Sequence, residues 1–343
     1  MLFSAALFLC AGHATAAPAA HSATSSLLIY SIDVEGGQST LLVSEPSHAS
    51  LLVDTGWPDN NGRDAERIQE AMHDAGITRI DHLLITHYHA DHVGGVPNLV
   101  QRIQVGEFLD HGPNRESDPK TVAGYEAYLK AIAGKPHRVV HPGDTISIPG
   151  LNIVVVAADG QHIDRVPGIT PTPNPNCAAE KQWPVDPTEN ARSSGILVRL
   201  GQFSFLDLGD LTGAKEVALV CPNNPLGTVD LYLVTHHGMN LSNSRAIVNA
   251  IQPRAAIMNN GAHKAGMPEA WQNVHDSPRH PDLYQLHTAE GSDAAHNSPE
   301  ALIANPKGAT TDGAYFKVVA QPNGSFSVTN TRTNQTKHYG PIK

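Results

Sequence analysis

The chain has 343 residues, with 23 Lys+Arg against 33 Asp+Glu, a formal charge of −10 and a hydrophobic content of 40%. This excludes a disordered chain and a protein that coats nucleic acid by counterion release, so nucleic acid enters only as a substrate led into a local groove. The unusual number is 20 His beside 5% aromatics, because imidazole is the commonest metal ligand once histidines cluster.

Residues 1–20 carry no Lys, Arg, Asp or Glu, and an apolar run over 2–11 is followed by Ala14-Thr15-Ala16. That pattern reads as an export signal and predicts a periplasmic or secreted protein. No later stretch reaches the roughly 20 apolar residues that a membrane-crossing helix needs. Beyond the signal only Cys177 and Cys221 remain. An even pair in an oxidising compartment reads as a disulfide, with two separate thiols the alternative.

Three short β-rich runs, 27–34, 40–43 and 50–54, open the folded part as in a meander. At 63–75, Ile68, Ala71, Met72 and Ala75 share one helical face, and Gly76 suits the helix end. A strand at 80–86, a helix at 93–103, a strand at 105–109 and a helix at 122–132 follow in alternation. After a strand pair at 145–148 and 152–158, residues 159–192 hold Pro, Asn and Thr without a sustained period. This long insert reads either as a substrate-contacting lid or as decoration of the fold. Regularity returns with strands at 196–200 and 203–208, a helix at 212–220, a strand at 229–235, a helix at 244–251 and a strand at 255–258. Segments 314–321 and 325–331, joined through Asn323-Gly324, predict a hairpin. Two β-rich halves with flanking helices imply two packed sheets covered by helices on the outside.

The sharpest chemical feature is Thr86-His87-Tyr88-His89-Ala90-Asp91-His92, placed where the apolar strand runs out and a helix begins. If His87 and His89 continue the strand, they point to one side and suit the gripping of one ion, while Asp91 and His92 turn toward a second. Nitrogen and carboxylate ligands without thiolate suit Zn²⁺, with Mn²⁺ or Fe²⁺ as alternatives.

These residues resemble the metallo-β-lactamase superfamily. Leu51-Leu52-Val53-Asp54-Thr55-Gly56 is similar to its strand-end Asp-x-Gly, which makes Asp54 a support behind the metal ligands. Phe205-Leu206-Asp207-Leu208-Gly209-Asp210 is similar to its strand ending in Gly-Asp, with Asp210 as the bridging carboxylate and Asp207 the weaker candidate. Leu233-Val234-Thr235-His236-His237-Gly238 is similar to its final histidine element. Within the superfamily, Asp33-Val34-Glu35-Gly36-Gly37-Gln38, the region 190–194, and His-His-Gly followed by Ser242 and Ser244 most resemble the hydrolase domain of competence-type DNA-uptake proteins. The family's intermediate histidine has two candidates, His162 as a metal ligand and His111 as a second-layer or substrate contact.

The resemblance implies a four-layer αββα sandwich of two mixed β-sheets flanked by helices, with 21–343 as one hydrolase domain carrying the insert at 159–192. It also implies two divalent metal ions. His87 and His89 would hold one, Asp91 and His92 with His236 or His237 the other, and Asp210 would bridge them. Adjacent strand residues face opposite ways, so one of His236 and His237 coordinates and its neighbour contacts something else, with His237 favoured. Asp91 would orient or deprotonate the water that becomes a metal-bound hydroxide. His263 and Lys264, in the loop after the next strand, read as plain surface, or else as contacts to a substrate anion.

Three functions follow as expectations: an exported phosphoester or phosphodiester hydrolase first, a lactone, β-lactam or other acyl hydrolase second, and a non-catalytic metal-binding interaction protein third. The partner is a small molecule or phosphoester substrate, and no protein partner follows from the sequence.

Overall fold

The computed structural model describes residues 25–58, 60–307 and 312–341; the export-signal reading of 1–20 lies outside them. Alternating burial along aliphatic strands decides the architecture. In strand Ser26–Ser31, Leu27 and Ile29 face one apolar cluster while Leu28 and Tyr30 face another. The same alternation divides Ile153 and Val155 from Val154 and Val156 in strand Asn152–Ala158. A strand whose two faces are both apolar is covered on both sides, so each sheet has one face toward its partner sheet and one toward helices.

The first sheet has nine strands in the order Gln335–Tyr339, Phe326–Asn330, Phe316–Ala320, Ser26–Ser31, Thr40–Glu45, Ala49–Val53, Arg79–Leu84, Gln104–Asp110 and His137–Val139. Pairing is antiparallel up to Ala49–Val53 and parallel from there on. The second sheet repeats that plan. Thr145–Ile146, Asn152–Ala158, Gly195–Leu200 and Phe203–Asp207 pair antiparallel, then Leu231–Leu233, Ala255–Met258, Asp282–His287 and Ile303–Asn305 add in parallel. Leu51, Val53 and Leu84 of the first sheet meet Val155, Val198, Phe205 and Leu231 of the second in one shared core.

Helices Arg63–Asp74 and Pro119–Ile132 cover the first sheet through Ile68, Met72, Tyr128 and Ile132. Gly213–Val220, Arg245–Ile251 and Pro268–His275 cover the second through Leu219, Ile247, Ile251 and Val274. The result is the expected four-layer αββα sandwich. Among the described residues no helix is long and apolar enough to cross a membrane.

Local departures from the sequence reading have physical causes. The helix expected at 93–103 is two single turns, Ala90–Val93 and Val96–Leu99, separated by Gly94-Gly95. A Cβ at Gly94 would overlap Pro58 and one at Gly95 the Thr55 carbonyl, so the loop after Asp54 packs straight onto the helix backbone. The strand expected at 229–235 ends at Leu233, and Thr235–Gly238 forms a tight turn instead. Strands Asp282–His287, Ile303–Asn305 and Gln335–Tyr339 were not expected at all.

The insert at 159–192 is pinned rather than loose. Thr172–Pro173 pairs with Asn223–Asn224, and Glu180 Oε2 accepts from Ala246 N at 2.6 Å. Cys177 and Cys221 form a disulfide that closes 44 residues of chain. Because that loop is long, replacing both cysteines with serine should lower unfolding free energy by about 2–4 kcal/mol. Urea titration checks this: dithiothreitol should lower the midpoint of the wild type and leave the double variant unchanged.

Candidate metal centre

Parallel strands all point their carboxyl ends the same way, so the loops leaving them meet along one edge, where ligands bind in such sheets. Asp54 follows strand Ala49–Val53, and His87, His89, Asp91 and His92 follow Arg79–Leu84. From the other sheet, Asp210 follows Phe203–Asp207, and His236 and His237 follow Leu231–Leu233. The two sheets therefore deliver their polar strand ends to one place.

Asp91, His92, Asp210 and His237 are buried and each offers one ligand atom within 4.8 Å of the others. His92 Nε2 lies 3.1 Å from His237 Nε2, and Asp91 Oδ2 lies 3.4 Å from His92 Nε2 and 3.2 Å from His237 Nε2. Asp210 Oδ2 lies 3.3 Å from His92 Nε2, 3.4 Å from His236 Nε2 and 3.9 Å from His87 Nε2. His87 Nε2 and His89 Nδ1 face each other at 3.0 Å, although strand geometry ends at Leu84 and these side chains come from the loop beyond it.

One expectation fails in an informative way. His236 and His237 do not alternate along a strand; both have positive φ, 56° and 53°, and the left-handed turn directs both rings to Asp210. His237 Nε2 approaches Asp210 Oδ1 at 3.3 Å, while His236 stands on Oδ2 and its Nδ1 meets Ser242 Oγ at 3.1 Å. Two consecutive left-handed residues without glycine cost conformational energy, and such strain clusters at functional sites.

His162 is not brought to this group. It pairs with Ala157 in strand Gln161–His162, and its Nδ1 meets the Ile163 carbonyl at 3.5 Å. His111 stands one layer back, 2.9 Å from Glu189 Oε2 with both side chains fully buried. Asp54 lies behind the cluster: its Oδ2 is 2.7 Å from His92 Nδ1 and also accepts from Thr86 Oγ1 at 2.7 Å, and its Oδ1 accepts from Thr86 N at 2.8 Å. Such a carboxylate fixes the imidazole tautomer and aims Nε2 at the cluster.

Further contacts lie behind and beside the cluster, and of these residues Glu116 carries no sequence signal. Glu116 Oε2 lies 3.0 Å from His89 Nε2 and accepts from Glu189 N at 3.1 Å, which links His89 to the His111–Glu189 pair. Gln38 Nε2 donates to both Asp207 oxygens at 3.0 and 3.1 Å, so Asp207 is a buried support and not a member of the cluster. His263 is exposed beside Glu290, but the Lys264 ammonium pairs with Asp91; the reading of Lys264 as plain surface is therefore corrected.

The charges follow from this packing. Burial alone would push Asp91 and Asp210 up, but His92 and Lys264 outweigh it for Asp91, and His237, His92 and His236 for Asp210, so both carboxyls stay well below the usual range. Burial is likewise outweighed at His92, where Asp210, Asp91 and Asp54 hold the ring well above the ordinary imidazole value. Burial, helped by His92 and His89, drives His87 well down.

This donor set fits a divalent ion. Two buried carboxylates converge on imidazole nitrogens, with His92 Nε2 and His237 Nε2 3.1 Å apart, and among the described residues buried Asp210 Oδ1 receives no hydrogen bond. A second grouping, Asp33, Glu35 and His287, has its cation built in: Arg67 Nη1 lies 3.0 Å from Asp33 Oδ2 and Nη2 lies 3.6 Å from Glu35 Oε1. That network holds the loop at Gly37, where a Cβ would overlap the Asp91 carbonyl.

Two outcomes test these assignments. Replacing Asp54 with Asn should weaken divalent-metal binding about 10–100-fold, measured by competition with a chromogenic chelator. Burial pushes the Asp207 carboxyl up to about 7 from the ordinary carboxylate value of 3.8. A raised carboxyl binds its proton more tightly when folded, so its stabilisation is present at low pH and lost as pH rises through about 7. In metal-free protein, the urea midpoint of Asp207→Asn should fall less, or rise more, than that of the wild type between about pH 4 and 7, the range over which Glu216, also raised by burial to about 7, acts in the same direction as Asp207.

The sequence profile of the metallo-β-lactamase superfamily matches residues 32–177. The atrochrysone carboxyl ACP thioesterase of Pseudocercospora fijiensis is 33% identical over 108 residues, 31% of this chain and 31% of that protein. ComE operon protein 3 of Bacillus subtilis is 25% identical over 249 residues, 67% of this chain and 28% of that protein. The chain thus spans less than a third of the length of these curated relatives. The crystal structure of the metallo-beta-lactamase fold protein YhfI from Bacillus subtilis aligns over 76% of this chain and 96% of its own, with 10% identity and a TM-score of 0.45. The profile match contains the whole Thr86–His92 heptad and the Asp54 that supports it, so the likeness to the metallo-β-lactamase superfamily lies over residues 32–177.

Proposed function

We propose that this protein is a metal-dependent hydrolase of phosphoesters or phosphodiesters that works with two divalent ions, Zn²⁺ by preference. The observation that carries the reading is the convergence of Asp91, His92, Asp210 and His237, with His87, His89 and His236 at the same strand-end edge. Asp91, His92 and His237 would hold one ion and His87 and His89 the other, with Asp210 between them. Bound there, such ions supply Lewis acidity and lower the pKa of water.

The chain's own groups do the rest. Asp54 keeps His92 in one tautomer, and Glu116 does the same for His89. Asp91, at the boundary between the cluster and solvent, takes the proton of the attacking water. The choice of phosphoester is supported by the resemblance of the Asp33–Gln38, 190–194 and His236-His237-Gly238 segments to the hydrolase domain of competence-type DNA-uptake proteins, and ComE operon protein 3 is similar over 67% of the chain. An acyl-hydrolase reading is supported by the thioesterase relative, whose likeness covers 31% of the chain. Export to an oxidising compartment, periplasmic or extracellular, is supported by the disulfide.

Purified protein should hydrolyse bis(p-nitrophenyl) phosphate, lose that activity to a chelator and regain it with Zn²⁺ or Mn²⁺. Asp91→Ala should reduce kcat by about 10³-fold or more while retaining the far-ultraviolet dichroism of the wild type. Turnover of nitrocefin, a lactone or an acyl thioester with phosphodiesters inert would replace the phosphoester reading by the acyl one. Stoichiometric metal binding without chelator-sensitive turnover of any of them would leave a binding protein.

A further inference from the structure

Lys264 has no part in the reaction described so far, yet its ammonium is set against Asp91 and 4.9 Å over the centre of the Trp57 ring. Its placement is built into the backbone. Gly266 N donates to the His237 carbonyl at 3.1 Å and Met267 N to the Gly238 carbonyl at 2.8 Å. The Lys264-bearing loop is thereby stitched to the turn that presents both histidines. Gly261 N reaches the Lys264 carbonyl at 3.0 Å, which folds the loop back on itself before Lys264, and just after it Ala265 and Gly266 both take positive φ, 64° and 62°. On its other side Gly36 packs so closely that a Cβ would come 3.1 Å from Lys264 Cβ.

The side chain is 35% exposed while Asp91 is 10% exposed, so the ammonium bridges the cluster and the solvent. At Asp91 Oδ2 it supplies a positive charge of the kind a divalent ion supplies. Two cations cannot share that oxygen without strong repulsion at such range. The flexible four-carbon stem allows the ammonium to swing outward, where it becomes a compact, three-donor point charge beside an indole face.

We infer that Lys264 is an anion-binding residue: it balances Asp91 in the metal-free protein, and metal binding frees its ammonium to hold a non-bridging oxygen of a phosphate group at the mouth beside Trp57. This deepens the phosphoester reading and rests on it. Lys264 would thus determine specificity for anionic substrates over neutral esters.

Calorimetric titration tests the inference without turnover. Inorganic phosphate should bind Zn²⁺-loaded Lys264→Met about ten-fold or more weakly than wild type, as expected on losing a charge-assisted hydrogen bond, and Lys264→Arg within about three-fold. Zn²⁺ should bind metal-free Lys264→Met more tightly than wild type, because the competing cation is gone. Unchanged phosphate binding in Lys264→Met at full metal content would overturn the inference, as would weaker Zn²⁺ binding, which would make Lys264 a support of the cluster. If phosphate binding depends on Lys264 but bis(p-nitrophenyl) phosphate is inert, the anion site stands and the assigned reaction class falls.

Discussion

Two carboxylates, Asp91 and Asp210, are buried within a few ångströms of each other's imidazole neighbours, and the rest of the site is arranged around the cost of keeping them ionised there. An isolated buried carboxylate would take up a proton. Here His92, His236, His237 and Lys264 surround the pair and hold it ionised. Two of these groups are in turn held from behind, His92 by Asp54 and His236 by Ser242, as nearby His89 is by Glu116. The two sheets must present their strand ends together for this to happen, because Asp91 comes from one sheet and Asp210 from the other. The shared apolar core between Leu51, Val53, Phe205 and Leu231 is therefore also what sets the distance across the charged cluster.

Much of this is legible in the sequence, and the reason differs by element. The heptad from Thr86 to His92 is readable because its ligands are local: one strand end supplies them, and no distant contact is needed to recognise the pattern. Asp54 and Asp210 are readable by likeness, since each stands where an aliphatic strand ends in glycine. The four layers follow from strands with two apolar faces. The relation of His236 to His237 is not legible, because strand alternation predicts opposite faces and only the backbone torsions of the turn reveal that both rings converge.

Long-range partners are opaque for a different reason. Glu116 and Glu189 come from separate loops, and neither lies in a spacing that chemistry requires; they meet at the end of an insert that is also clamped by its disulfide and by Glu180. Lys264 is visible in the sequence only as one of two readings, surface or anion contact, and its pairing with Asp91 is hidden in the same way. The periodic signal of a helix also fails where glycine is present for close approach, as at Gly94-Gly95, and where a strand is short, as at Ile303–Asn305.

The order of strands in the first sheet bears on how the chain reaches this state. Ser26–Ser31 pairs on one side with Thr40–Glu45 and on the other with Phe316–Ala320, in a register that sets Leu27 opposite Ala320. Nearly the whole polypeptide separates those two residues, and contacts of such range make for slow closure. Until the last three strands dock, an aliphatic strand lies open along one edge and offers its backbone to any neighbouring chain. A nascent or truncated form that stops short of Phe316 would accordingly be prone to self-association through Ser26–Ser31, even with every ligand of the heptad already made.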